Sequence, residues 1–429
     1  MSCALHARLL ALTLALSILG LAPVAAPGYP LDGYEETGIR RVEGARLVQE
    51  GILAGRRQPA GALLGTAEVD LRLLQDRELQ LPAPDPGFTA QVAALLGEYA
   101  GQYGVAVLDL TDPTAPVYAE HRGDYRQNVG SVGKLLGALG LFQALADAWP
   151  DDLERRRQIL RDTVVTADDF SHHDHHTIRI FDVETRTLTR RPMQDGDQGS
   201  LWEYLDWMLS VSSNSAAAMV MRDAMLLRQF GTAYPLPEGQ IAAFFAETPP
   251  AELTALFQRT FWEPVTRQGL ALDQLRQGSF FTAQGKKNVN GGGLSYATAR
   301  TLLQLMLMME RGSLVDEWSS RQLKRLLYQT EHRIRYASSP ELEGAAVYFK
   351  SGSLYRCTKE KGSQCGAYRG DALNYMNSVA IIEQEAGGRR LHYIVVVISN
   401  VLEHNSAEDH QALGTAVHRL IGQRHPGEE

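Results

Sequence analysis

Apolar and polar positions change rhythm four times along this chain. Phe88 to Tyr99 carries apolar residues at helical spacing. It is followed by two short apolar runs, Gly104–Leu110 and Pro116–His121, on either side of Asp112-Pro113. Short runs bounded by turn residues predict paired antiparallel strands. The pattern then turns helical and stays so. Leu135–Ala146 reads as a buried helix, and Leu201–Leu209 is apolar on one side. Ser215–Leu227, parts of Phe244–Phe261, Tyr296–Arg311 and Ser319–Gln329 also keep helical spacing. Gly291-Gly292-Gly293 breaks the series. Strand rhythm returns at Ala345–Lys350, Met376–Glu383 and Leu391–Val401, the last two joined by Gly387-Gly388. A closing helix is predicted over Ala407–Ile421. Residues 151–200 are polar and irregular, with a hairpin expected from Thr177 to Arg191. Strands at both ends with helices between predict an α+β fold: an antiparallel sheet flanked by helices, with an inserted all-helical lobe.

The first 86 residues follow neither rhythm for long. Leu9 to Leu21 is a thirteen-residue apolar run after Arg8, too short to span a bilayer comfortably, and small residues follow at Pro23–Ala26. This predicts a signal peptide over 1–26 and a periplasmic or secreted protein with no stable membrane span after cleavage. Residues 27–86 form an N-terminal extension. It holds a helical stretch from Ile39 to Ala54, an apolar stretch Val69–Leu74, and a stiff linker marked by Pro82, Pro84 and Pro86. The main domain is expected over 87–425. Cleavage leaves two cysteines, Cys357 and Cys365, eight residues apart and able to close a small loop disulfide in an oxidising compartment.

Length and composition narrow this only a little. The 429 residues suffice for two or three domain-sized units or one large domain. A net charge of −8, with no long basic run, argues against nucleic acid as a partner.

Lysine usage changes the picture more. Of 42 basic residues only seven are lysines, and two of those stand in short motifs. Ser131-Val132-Gly133-Lys134 is the sole Ser-x-x-Lys, Ser212-Ser213-Asn214 the sole Ser-x-Asn, and Lys350-Ser351-Gly352 the sole Lys-[Ser/Thr]-Gly. A serine hydroxyl needs a base within reach to become a nucleophile. A lysine serves once burial favours its neutral amine, whereas an arginine does not lose its proton. Ser131, at or just inside the first turn of the predicted helix, shares a face with Lys134 three residues on. The backbone N–H groups of Ser131 and Ser353 are candidates to face a developing oxyanion, with Gly352 allowing close approach. Ser212 is a candidate proton relay, Asn214 a holder of a substrate amide, and Lys350 a charge for a substrate carboxylate. Arg356, Lys359, Lys361 and Arg369 are further candidates for that carboxylate. His172, His173, His175 and His176, with Asp168, Asp169 and Asp174, form a polar cluster that matches no standard zinc motif. No metal or cofactor is expected.

With these motifs in this order, residues 90–422 resemble the penicillin-recognising serine enzymes, most closely the class A β-lactamase branch. Also in keeping are the strand pair before Ser131, the Ser212–Ala217 stretch opening a helix, and Tyr296–Leu303 before another helix. The resemblance implies a five-stranded antiparallel sheet beside a helical lobe with the site between them. It implies that Ser131 is acylated with Lys134 as its activating partner, that Ser212 and Asn214 stand at the second motif, and that Lys350, Ser351 and Gly352 stand at the third. The expected function is β-lactam ring hydrolysis. The alternatives are a D-alanyl peptidase or penicillin-binding protein with slow deacylation, and a non-hydrolytic binder of peptidoglycan stem peptides. Three departures matter. Ser213 stands where the class A branch carries Asp. The long intervals between motifs imply insertions at 151–200 and 231–290. No Glu-x-x-Leu-Asn follows the second motif, so the base for deacylation is not identified.

Overall fold

The computed structural model describes residues 32–330, 333–358 and 365–426. The signal-peptide reading of 1–26 therefore lies outside the described residues. A five-stranded antiparallel sheet is built from both ends of the domain. Its strands are β1 (Tyr103–Asp109), β2 (Val117–His121), β3 (Ala346–Arg356), β4 (Leu373–Ala386) and β5 (Arg389–Asn400), in the order β3-β4-β5-β1-β2.

The three inner strands are apolar on both faces, and successive residues serve opposite cores, as the two-residue period of a strand requires. Ile394, Val396 and Ile398 of β5 face the helical lobe together with Ala106, Leu108, Val379 and Ile381. Their neighbours Val395, Val397, Val105, Val107, Ala380 and Ile382 face the other way. They pack against Phe88 and Val92 of the helix Pro86–Ala94 and against Val417 and Ile421 of the closing helix Ser406–Arg424. A slip of one residue in any inner strand would exchange the two cores, which pins the register.

The lobe between β2 and β3 is mostly helical. Lys134–Ala148 is buried over most of its length, and Leu201–Leu209, Asn214–Phe230, Ala299–Glu310 and Glu317–Tyr328 surround it. A hairpin, Thr177–Asp182 with Thr187–Pro192, projects from the insertion at 151–200. Tyr296–Thr298, expected as the start of a helix, is a short strand between 126–127 and 275–276. The helix begins only where Thr298 Oγ1 accepts from Thr301 N at 3.2 Å. The β-branched cap favours extended backbone before the first turn. Among the described residues no helix is long and apolar enough to cross a membrane.

The segment before the domain is welded to the lobe. Ile39, Val42, Val69 and Leu73 join the same core as Leu139 and Phe142. The helix expected over Ile39–Ala54 ends at Gln49, and Val69–Leu74 forms no regular element. The proline stretch is not a free linker. Asp85 N donates to Tyr118 O on β2 at 2.7 Å, and Asp85 Oδ1 then caps the helix Pro86–Ala94 by accepting from Phe88 N at 2.6 Å. Arg41 Nε donates to Asp206 Oδ2 at 2.8 Å, with both side chains buried. Removing one partner of such a pair strands the other charge. Arg41→Ala is therefore expected to lower stability by about 3–5 kcal/mol, read as a drop in the urea midpoint at constant m. A change within error would mean that the extension adds nothing to the lobe.

Candidate active site

Two features bring the first motif to the sheet. Residues Gly130–Gly133 form a 3₁₀ turn, and the α-helix starts only at Lys134, so Ser131 stands on the turn and not inside the helix. Gly130 has φ +54°, and a Cβ there would lie 3.3 Å from Ser353 N. On the facing strand, a Cβ on Gly352 would lie 2.2 Å from Val129 O and 2.5 Å from Ser131 N. Only glycine lets the turn and β3 meet this closely. The meeting sets the amides of Ser131 and Ser353 at one junction, as an oxyanion site needs.

The motif side chains converge on Lys134. Its Nζ lies 2.9 Å from Ser131 Oγ, 2.6 Å from Ser212 O, 2.8 Å from Asn214 Oδ1 and 3.3 Å from Ser212 Oγ. Ser212 O and Asn214 Oδ1 can only accept. A neutral amine has two N–H groups for them, and its lone pair is left facing the hydroxyls, with Ser131 Oγ the nearer. Lys134 is fully buried, and burial drives its pKa down to about 7 against the opposing pull of Asp174. The amine is thus poised to take the Ser131 proton near neutrality. Acylation should accordingly rise with pH through a midpoint near 7, since the amine is the active form above its pKa. A profile flat from well below to well above neutrality would show that Lys134 does not titrate as the base.

Lys350 comes from the middle of β3, not from a strand-end turn. Its Nζ donates to Ser212 Oγ at 2.9 Å and to Ser351 O at 3.0 Å. Burial, then the charges of Lys134 and Arg335, hold its pKa well below the usual lysine value. Ser212, at φ +63°, is strained for a non-glycine residue and sits between the two lysines with its hydroxyl in reach of both.

The cleft between lobe and β3 encloses about 580 Å³ and brings together Ser131, Ser212, Asn214, Ser351, Gly352 and Ser353. Arg335, which the sequence reading missed, completes it. Its Nη1 donates to Ser351 Oγ at 2.8 Å and its Nη2 to Ser353 Oγ at 3.0 Å, while Tyr368 lies over the guanidinium at 5.0 Å. It precedes the third motif in a stretch without periodicity, so no sequence signal marks it. Of the candidates named instead, Arg356 and Arg369 are exposed and do not line the cleft, and Lys359 and Lys361 lie outside the described residues. Cys357 and Cys365 form a disulfide beyond the end of β3.

No Asp or Glu lines the cleft among the described residues. The ring of Phe281 covers Lys134 Nζ at 5.0 Å, and Gln277 Oε1 would lie 2.3 Å from a Cβ on Gly133. An apolar ring and an amide therefore flank the Ser131–Lys134 turn.

The histidine cluster disperses. His172 Nε2 pairs with Asp195 Oδ1 at 2.6 Å, Asp169 Oδ2 accepts from Asn288 Nδ2 at 3.0 Å, and Asp168 pairs with Arg222. Asp174, His175 and His176 stay together. Both oxygens of Asp174 are engaged within the protein, and His175 and His176 lie in the cleft wall.

The chain matches the beta-lactamase enzyme family over residues 87–421. Among solved structures, PBP-A is 15% identical, with 80% of this chain and 99% of that chain covered at a TM-score of 0.48. The β-lactamase of Sphaerobacter thermophilus is 16% identical, with 80% and 98% covered, also at 0.48. A class A β-lactamase from Mycobacterium abscessus is 16% identical, with 78% and 99% covered at 0.44. No curated protein matches the chain.

Proposed function

The chain belongs to the beta-lactamase enzyme family, and from that premise we propose that it is a serine hydrolase that is acylated readily at Ser131 and releases its acyl group slowly. The carrying observation is the hydrogen-bonded chain from Ser131 through Lys134 and Ser212 to Lys350, in which a fully buried amine stands 2.9 Å from the serine hydroxyl. Ser131 Oγ attacks the carbonyl carbon of a β-lactam, or of the D-alanyl end of a peptidoglycan stem, while its proton passes to Lys134 Nζ. The oxyanion is met by the amides of Ser131 and Ser353. As the C–N bond breaks, the proton reaches the leaving nitrogen through Ser212 Oγ. With a β-lactam both halves stay attached, so the adduct carries the whole mass of the reagent. Asn214 holds the substrate amide. Lys350, Ser351 and the guanidinium of Arg335 receive its carboxylate.

Slow release is favoured over efficient ring hydrolysis because no carboxylate among the described residues lines the cleft to activate water. This turns the reading toward a penicillin-binding protein or D-alanyl peptidase. Export to the periplasm or medium is part of the proposal, supported by the apolar run Leu9–Leu21 and the Cys357–Cys365 disulfide.

A chromogenic cephalosporin tests this in one trace. The expected result is a burst of ring opening equal to one per protein, followed by a much slower steady state. Fast linear turnover without a burst would refute slow release, and no ring opening at all would refute acylation.

A further inference from the structure

Among the described residues, Asp174 is the one carboxylate that reaches the second motif, and it comes from the inserted histidine-rich loop. Its side chain is 1% exposed. Oδ2 accepts from Ser213 Oγ at 3.1 Å, Asn214 N at 2.7 Å and Ser215 N at 3.1 Å. Oδ1 accepts from His176 N at 3.2 Å and faces His176 Nδ1 at 2.6 Å. The carboxylate therefore sits on the first amides of the seventeen-residue helix Asn214–Phe230, where the helix dipole favours negative charge. It also ties the backbone of Asn214, whose side chain holds Lys134 Nζ at 2.8 Å. Ser213 caps the same helix through Ala216 N and is itself too short to supply a carboxylate.

We propose that Asp174 is the positioning carboxylate of the second motif, delivered from another loop because position 213 lacks one, and that it sets both the place and the charge of Lys134. The proposal rests on the reading of Ser131 and Lys134 as nucleophile and base. It makes Asp174 and Ser213 an interchangeable pair: a carboxylate is needed from one position or the other, but not from both. Ser213 Oγ is 3.1 Å from Asp174 Oδ2, so a second carboxylate introduced at position 213 would crowd the first unless Asp174 is neutralised.

The charges facing Lys134 Nζ are few. Lys350 approaches from β3, Arg335 acts beyond it on Lys350, and Asp174 lies behind Asn214; the remaining neighbours, Ser131, Ser212, Asn214 and Phe281, are neutral. Asp174 is ionised across the working range. Burial pushes its pKa up, but the hydrogen bond and charge of His176 and the amides of Ser215 and His176 outweigh burial and hold it well below the usual aspartate value. Its removal takes away a negative charge that favours protonated Lys134.

The test is the second-order acylation rate constant with a chromogenic β-lactam, measured across neutrality for four proteins: wild type, Asp174→Asn, Ser213→Asp and the double variant. Asp174→Asn is expected to lose about 10- to 100-fold, the scale of one charge-assisted hydrogen bond. Its pH midpoint should fall below that of the wild type, a shift that loss of a purely structural contact would not produce. Ser213→Asp alone should also lose activity, and the double variant should return to within a few-fold of wild type. Asp195→Asn, at an exposed carboxylate paired with His172, is the control expected to change nothing. If Asp174→Asn does not fold, the double variant still decides, because the carboxylate introduced by Ser213→Asp restores both the cap and the charge. The proposal is overturned if Asp174→Asn acylates like wild type with an unmoved midpoint, or if a folded double variant is no faster than Asp174→Asn. Failure of the wild type to be acylated at Ser131 would instead overturn the parent reading.

Discussion

Changing Ser131 to Ala is expected to abolish covalent capture of a β-lactam while leaving the thermal unfolding midpoint close to wild type. Both halves follow from the geometry. The hydroxyl lies 2.9 Å from Lys134 Nζ, and neither Ser212 nor Ser353 combines such a base with the oxyanion junction of Gly130 and Gly352. Loss of the hydroxyl does not orphan Lys134, whose N–H groups keep Ser212 O and Asn214 Oδ1. The cost in stability should therefore stay near that of a single neutral hydrogen bond, about 1 kcal/mol or less. Labelling that survives in the variant, read by intact mass, would place the nucleophile elsewhere.

Lys134→Arg is expected to slow acylation by about 10²- to 10⁴-fold, the usual contribution of a positioned general base. The variant carries the charge of the protonated lysine permanently and lacks the proton acceptor, because a guanidinium stays protonated. This separates two roles that an alanine substitution would confuse. If charge alone mattered, through stabilisation of the oxyanion or the substrate carboxylate, the arginine variant would retain most of the rate. Lys134 is fully buried and touches four atoms at hydrogen-bond distance, so the bulkier side chain is also expected to lower the melting midpoint. Lys134→Met, which removes the amine at similar length, isolates the chemical effect. Its rate should be equally low, and its pH profile should lose the rise through neutrality.

Much of this site could be read from the chain because its chemistry is local. Ser131 and Lys134 are three residues apart on one turn, Ser212 and Asn214 flank a helix start, and Lys350 to Ser353 lie along one strand. Their mutual approach needs only the sheet-and-lobe arrangement that the strand–helix–strand rhythm implied. The parts that escaped are those in which a side chain acts across the fold. Arg335 binds two hydroxyls of β3 from an aperiodic turn, and Asp174 looked like one acid in a polar histidine run until its loop was seen against the helix at Asn214. The histidine run, which matched no standard zinc motif, divides in the fold: His172 takes Asp195 and His176 takes Asp174. The proline stretch at 82–86 reads as a stiff linker from its composition, and its attachment to β2 through Asp85 is not written there. Composition reports stiffness and says nothing of where hydrogen bonds go.

The most direct measurement is intact mass of the purified protein over time with excess benzylpenicillin, followed by peptide mapping of the adduct. The account predicts a single added mass equal to the whole reagent, located on the peptide that contains Ser131 and persisting long after free reagent is removed. An adduct on any other residue, or none under conditions in which the protein is folded, would contradict it.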